Sequence, residues 1–186
     1  MRDTIVFRMF TIVGLGNPGA EYEKTRHNAG RIVVSVLPDY RTLKKIIPVT
    51  FMNNSGRAVT PYIKSKKAAA SLIIVHDDLD LPLGVVRVSF ARGSGGHNGV
   101  KSVARAVKTD EFIRIRIGVS KLVRGKAKKP VGEKAVLAFL LGKLTKGEYE
   151  KLAGPVAERV GLALAAIMKS GDPVSGMNAV NGLPPL

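Results

Sequence analysis

The chain has 186 residues, 45% of them hydrophobic, which is enough to bury one sizeable core as a single domain spanning residues 1–186. Its 30 basic against 14 acidic residues leave a formal net charge of +16, which points to a polyanionic partner, nucleic acid above all, with a generally basic surface as the plainer alternative. The absence of cysteine excludes a disulfide framework and a thiolate metal site, and no apolar run approaches the length of a membrane span, so the expectation is a cytoplasmic protein without a membrane anchor.

The opening MRDTIVFRMF is too short and too strand-like for a secretory signal. It reads as residues ahead of a strand, with Met9 as an alternative start. Phe10 to Leu15 then reads as a buried strand. Arg31 to Leu37 is an apolar run that periodicity alone leaves open between helix and strand. Ile46 to Thr50 is short and strand-like, and Ser55 to Lys67 predicts a helix with a break at Pro61. Leu72 to Val75 suits a central parallel strand ending at His76-Asp77-Asp78. Val86, Val88 and Phe90 alternate with Arg87 and Ser89 as in a half-buried strand, and Arg92 to Gly96 is a flexible loop. Val100, Val103, Ala104 and Val107 have helical spacing. Ile113, Ile115 and Ile117 alternate with Arg114 and Arg116, predicting a strand with one polar face. The basic stretch Lys121 to Lys134 lacks a core-facing pattern and reads as a mobile loop, either merely solvated or contacting phosphates. Thr145 and Glu148 form a capping-box pattern opening a long helix, which Pro155 kinks or splits. The sum is an α/β chain: a single-domain three-layer α/β/α arrangement around a central mixed, mostly parallel sheet.

Two readings compete for the segment GLGNPGAEYEKTRHNAG at residues 14 to 30. Gly14, Gly16 and Gly19 spell the dinucleotide-binding pattern G-x-G-x-x-G, and Asp39 follows at a plausible distance. A dinucleotide turn must open directly into a helix whose first amides hold the pyrophosphate. Residues 20 to 28 show no apolar stripe of helical period, and Pro18 removes an amide from the turn. The alternative is a site built on the three histidines. His27 stands beside Asn28, His76 ends a strand before Asp77, and His97 sits in Gly-Gly-His-Asn-Gly at the mouth of a helix. Strand ends and helix mouths are where ligands bind in α/β folds. A histidine beside a carboxylate is a general base, and the carboxamides of Asn17, Asn53 and Asn98 suit substrate positioning and oxyanion stabilisation. G-x-S-x-G is absent, so water attacking an ester is the more natural chemistry than a serine nucleophile. The histidines lack H-x-x-x-H spacing, which argues against a metal site.

These motifs resemble those of the bacterial-type peptidyl-tRNA hydrolases. The resemblance runs through G-L-G-N-P-G with Tyr22 and T-R-H-N-A-G, P-V-T-F-M-N-N-S-G at 48 to 56 and V-H-D-D-L-D-L-P-L-G at 75 to 84. It continues through G-S-G-G-H-N-G-V-K-S at 93 to 102, F-I-R-I-R-I-G-V at 112 to 119 and G-M-N-A-V-N at 176 to 181. It implies a cytosolic monomer that hydrolyses the ester between a peptide and the terminal ribose of tRNA, with no metal or organic cofactor. By the same resemblance His27 is the catalytic base, Asp77 its partner, and Asn17, Asn53 and Asn98 hold the substrate. Met52 and Tyr22 line the site, and Gly95 and His97 sit in the peptide-binding loop. Arg116 is one half of a clamp on the tRNA 5′-phosphate. The clamp's usual lysine falls at Ser89 here, with Arg87 and Arg92 as candidate substitutes. The chain is also shortened between residues 31 and 47, where the family has a full helix and a pair of strands, so the sheet is expected to lack an edge strand. A catalytically inactive RNA-binding relative of the same fold, such as plant organelle splicing factors resemble, is the second reading, and a dinucleotide-binding enzyme the third.

Overall fold

Apolar residues alternate across the two faces of the strands, and this alternation builds the molecule. In a computed structural model describing residues 8–186, β1 (Phe10–Gly14) sends Phe10 and Ile12 into one core and Val13 into the other. β3 (Leu72–Pro82) divides Ile73 and Val75 from Leu72 and Ile74 in the same way. The opening segment read as preceding the first strand lies, over residues 1–7, outside the described residues. With β2 (Leu43–Ile46), β4 (Val86–Phe90), β5 (Ile113–Val123) and β6 (Lys126–Lys128), the strands form one sheet in the order β2-β1-β3-β5-β4, with β6 paired to β5. The pairs β2–β1, β1–β3 and β3–β5 are parallel, while β4 and β6 run antiparallel to β5.

Helices cover both faces. α1 (Ala29–Val36), α7 (Ala157–Ser170) and α8 (Pro173–Val180) close the core containing Phe10 and Ile73. α2 (Gly56–Val59) and α4 (Asn98–Val107) close the core containing Val13 and Ile74. The three-layer, mostly parallel reading therefore holds. Arg31 to Leu37 resolves as the last turns of a helix, and β4 and the 92–96 loop lie where expected.

Several boundaries differ from expectation. The strand placed at Ile46 to Thr50 is instead β2, ending at Ile46, so the shortened segment does supply a parallel edge strand. Ser55 to Lys67 is not one helix: α2 stops at Val59 before Pro61, and α3 (Lys66–Ala69) restarts under its own cap, with Ser65 Oγ accepting from Ala68 N–H. The strand ended at Val75 runs on to Pro82, carrying His76 and Asp77 within it. The basic stretch 121–134 is largely not a loop: β5 extends to Val123 and turns through Arg124 and Gly125, both at positive φ, into β6. Two helices lie outside the sequence expectation, α5 (Glu133–Leu141) and α8. α5 buries none of its residues, so it carries little core-facing pattern to read. At the expected capping box, Thr145 and Glu148 each bond the other's backbone amide to open α6 (Lys146–Lys151), and the helix widens into a π-turn over Leu152–Val156 around Pro155 before α7. Proline has no N–H to donate, and the wider turn absorbs that loss.

Candidate active site

Three short glycine contacts bring the site together. α1 begins only at Ala29, well past Gly19, so the G-x-G-x-x-G segment does not open directly into a helix. Its glycines serve packing instead: a Cβ at Gly14 would lie 2.7 Å from Gly30 O, and one at Gly30 would lie 2.1 Å from Val75 O. α1 thus sits close over β1 and β3, and His27, in the short turn just before it, is carried to Asp77 in the middle of β3. On the other side, a Cβ at Gly99 would lie 2.4 Å from Met52 Sδ, so the start of α4 is drawn in and His97 with it.

Asp77 is the hub. Its Oδ1 lies 2.9 Å from His27 Nδ1 and 3.0 Å from His97 Nε2, and the carboxylate is buried. His97 Nδ1 accepts from the backbone amides of Gly99 and Val100, so its single ring proton sits on Nε2 and is donated to Asp77. His27 likewise donates from Nδ1, which leaves its Nε2 with a lone pair and no protein partner among the described residues. Burial alone would raise the Asp77 carboxyl, but the neighbouring His27 and His97 rings and the hydrogen bonds they donate favour the carboxylate and hold it well below the usual carboxylate range. For His27 burial pushes down, and the charge and hydrogen bond of Asp77 push up and prevail. His76, the third histidine, is fully enclosed; burial and the neighbouring His97 hold it neutral, and its Nδ1 donates to Asp77 O at 2.7 Å. Its ring packs edge-on to His97 at 4.7 Å.

Asn17 is buried, and its Oδ1 accepts from Met52 N–H at 2.8 Å, which directs the amide –NH2 away from that bond. Its backbone is gripped by Asn28, whose side chain accepts from Asn17 N–H and donates to Asn17 O. Sequence reasoning does not single out Asn28 as a site residue. Its role depends on a pairing of two loops that no local pattern encodes. Tyr22 stacks edge-on against the exposed Phe51 with ring centroids 6.1 Å apart.

A cleft of about 670 Å³ opens over the His–Asp–His set, lined by His27, Asn53, Asp77, Gly95, His97 and Asn98 among others, whereas Asn17, Tyr22 and Met52 are not among its lining residues. Arg92, Arg114 and Arg116 line its basic side. Arg116 donates to Asp78 Oδ2 at 3.0 Å. Arg87 does not line the cleft: its guanidinium donates to the carbonyls of Val86 and Leu183 and reaches that of Val180. Arg114 lies on the polar face expected of β5, yet it is only 2% exposed. His27, Asp77 and His97 do place three possible ligand atoms within 4.8 Å of one another. Both ring nitrogens facing Asp77 carry protons, however, and moving the His97 proton to Nδ1 would set it against two amide N–H groups, so the hydrogen-bonded set does not fit a metal ion as it stands.

A carboxylate-oriented histidine just beyond the carboxyl end of β1, opening on a cleft with arginines along one side, is the equipment of an α/β enzyme that activates water, and no hydroxyl among the described residues bonds a histidine ring. Comparison with known proteins makes this specific. The family model for peptidyl-tRNA hydrolase matches residues 11–44 and 40–185, and the chain belongs to that family. It is 38% identical to the peptidyl-tRNA hydrolase of Coprothermobacter proteolyticus over 167 residues, covering 77% of this chain and 81% of that one. It is 36% identical to that of Listeria monocytogenes serotype 4a over 188 residues, covering 89% and 90%. The crystal structure of peptidyl-tRNA hydrolase from Acinetobacter baumannii superposes with a TM-score of 0.77 at 30% identity, covering 96% of this chain and 97% of that one.

Proposed function

We propose that this protein hydrolyses the ester joining a peptide to the terminal ribose of tRNA, with water activated at His27 Nε2. The observation that carries the mechanism is the His27 Nδ1–Asp77 Oδ1 bond of 2.9 Å, which fixes the ring tautomer and leaves Nε2 free over the cleft. Water's oxygen attacks the ester carbonyl while its proton passes to His27 Nε2. Asp77 stabilises the imidazolium so formed. The tetrahedral intermediate collapses as His27 returns the proton to the leaving ribose oxygen, giving a free peptide acid and tRNA. Asn17, held by Met52 and Asn28, presents its –NH2 as a donor, and Asn53 and Asn98 offer further amides for the substrate or the developing oxyanion. Tyr22, Met52, Gly95 and His97 complete the substrate walls, and Arg116 with Arg92 offers charge to tRNA phosphate. No step requires a metal or organic cofactor. No helix among the described residues is long and apolar enough to cross a membrane. We take residues 1–186 as one domain, shortened at 31–47, acting as a cytoplasmic monomer.

The test is turnover of an N-blocked aminoacyl-tRNA in the presence of chelator. Sustained turnover supports the reading. Loss of activity restored by zinc would replace water activation at His27 with metal chemistry at the His–Asp–His cluster. Tight RNA binding without any turnover would instead make the chain an inactive RNA-binding relative.

A further inference from the structure

α5 carries an apolar wall that the core does little to hold. Val136, Leu137 and Leu140 stand three and four residues apart on one helix face, and all three line the cleft. Yet α5 buries none of its residues, and Leu137 is 54% exposed. Of its apolar side chains Phe139 and Leu140 pack against the core, both only partly buried. A helix of nine residues does not hold its place without packing. Arg26 supplies the missing anchor. Its guanidinium carbon lies 4.7 Å from the centre of the Phe139 ring, within cation–π range. At the edge of the same group Nη1 donates to Lys143 O at 3.0 Å, and Nη2 donates to both Glu148 oxygens at 3.0 Å. Glu148 is itself fixed, because its Oε2 also accepts from Thr145 N–H at 2.8 Å in the cap of α6. The backbone adds two bonds, Arg26 N–H to Gly142 O at 3.2 Å and Leu144 N–H to Lys24 O at 2.7 Å. The Arg26 side chain is 12% exposed, so water competes little for these partners. A planar fork can serve a ring on its face and two acceptors on its edge at once, and a lysine ammonium cannot. His27 is the next residue, in the same single turn, Arg26–Asn28. One side chain thus ties the last turn of α5 to the turn that carries the base.

We propose that Arg26 is a positioning residue that sets the reach between the α5 wall and His27 Nε2, and thereby favours substrates whose esterified residue carries an aliphatic side chain. That side chain lies against Val136, Leu137 and Leu140 while its own carbonyl meets the activated water. Arg26 itself touches neither the substrate nor the reacting atoms. The proposal rests on the peptidyl-tRNA reading for its substrate, but the anchoring of α5 by Arg26 does not.

The test compares N-acetyl-leucyl and N-acetyl-glycyl esters carried on the same tRNA. Wild type should favour the leucyl ester by about tenfold or more in kcat/KM, the worth of an apolar group in a fitted site. Arg26→Gln should remove most of that preference, and the loss should fall on KM for the leucyl ester, because the wall supplies binding and not chemistry. Phe139→Leu, which takes away only the ring, should lose part of the preference, and Phe139→Tyr should keep it. Hydrogen exchange of the α5 amides should quicken in Arg26→Gln while that of α7 stays as in wild type. Arg26→Lys keeps a cation beside Glu148 without the fork, so it should lose the preference too, and it carries the test if Arg26→Gln fails to fold. Equal loss of kcat on both esters would mean that Arg26 acts on His27 and not on the wall, and it overturns the proposal. So does a wild type without leucyl preference, or α5 exchange that does not change. If wild type turns over neither ester, the functional reading fails, and α5 exchange still decides whether Arg26 holds the helix.

Discussion

Asp77 Oδ1 takes a hydrogen bond from each of two histidine rings, yet the rings are not equivalent. His97 is locked by backbone amides at its other nitrogen, so it can orient Asp77 but not exchange protons with substrate. Of these two rings, His27 keeps a nitrogen without a protein partner among the described residues, and it lines the cleft. His27→Ala should therefore lower kcat by ~10²–10⁴ while leaving tRNA affinity close to wild type, as single-turnover and binding measurements would show. Because the His27 pKa is raised above 6.5, and the ring must be neutral to take a proton, kcat/KM should climb with pH through that raised value. Asp77→Asn removes the charge that raises it, so the acid limb should move to lower pH even as kcat falls. Stability runs the other way. The His27 contribution is full below 6.5 and is lost as pH rises through the raised pKa. The Asp77 contribution is present above 3.8 and is lost as pH falls toward its depressed pKa. The gap in Tm between wild type and Asp77→Asn should thus be widest between those two values and narrow on the alkaline side, where turnover is fastest. A gap that widens with pH up to 9 would contradict this assignment of the ion pair.

At the scale of elements, close backbone approach decides where α1 stands. Gly30→Ala forces a Cβ to 2.1 Å from Val75 O, and neither strand nor helix backbone can yield cheaply. It should cost about 1–3 kcal/mol in urea unfolding, and more activity than stability, because the same shift displaces His27. Gly161→Ala is the control. It lies within α7, where the added Cβ meets nothing nearer than Tyr40 Oη at 3.7 Å, so replacing a helical glycine should stabilise by roughly 0.5–1 kcal/mol. Equal effects at the two positions would mean that helix propensity, not the contact with β3, is what Gly30 governs. Arg26 links the same region to the second half of the chain, pairing with Glu148 at 3.0 Å and donating to Lys143 O.

For the whole molecule, a net charge of +16 makes salt the main control on RNA affinity. The β5–β6 hairpin projects Lys126 and Lys128 outward, both exposed, whereas Lys129 pairs with Asp80. Replacing Lys126 and Lys128 by Ala should weaken binding to different tRNAs about equally and flatten the salt slope by roughly one unit for each phosphate left without its lysine. Lys129→Ala should do less, since Asp80 already offsets that charge. A changed preference among tRNAs with an unchanged slope would show that the hairpin reads sequence or shape instead of phosphate.

The apolar run of Phe10–Leu15, the alternation in Ile113–Ile117, the capping box at Thr145 and the helix breaks at Pro61 and Pro155 were legible because each depends on neighbours in sequence. His27, Asp77 and Asn17 were legible as candidates for the same reason: a histidine, a carboxylate and an amide stand at the ends of recognisable elements. The extension of β3 through Asp77 was not, because a strand is prolonged by its partners, and β5 lies beside it only after a crossover through α4. The same holds for Arg114. Its alternation with isoleucines marks a second face of β5, but alternation is silent on what covers that face. Folding made it part of the cleft wall, so that a residue alternation assigns only to a polar face is buried, with Nε and Nη2 unpartnered among the described residues. The sequence by itself determined the periodicities, the breaks and the chemical inventory, which are short-range properties of the chain. Only the tertiary structure decided which groups share one carboxylate oxygen and which charge is left without a partner, because hydrogen bonding and desolvation depend on distances between segments far apart in the chain.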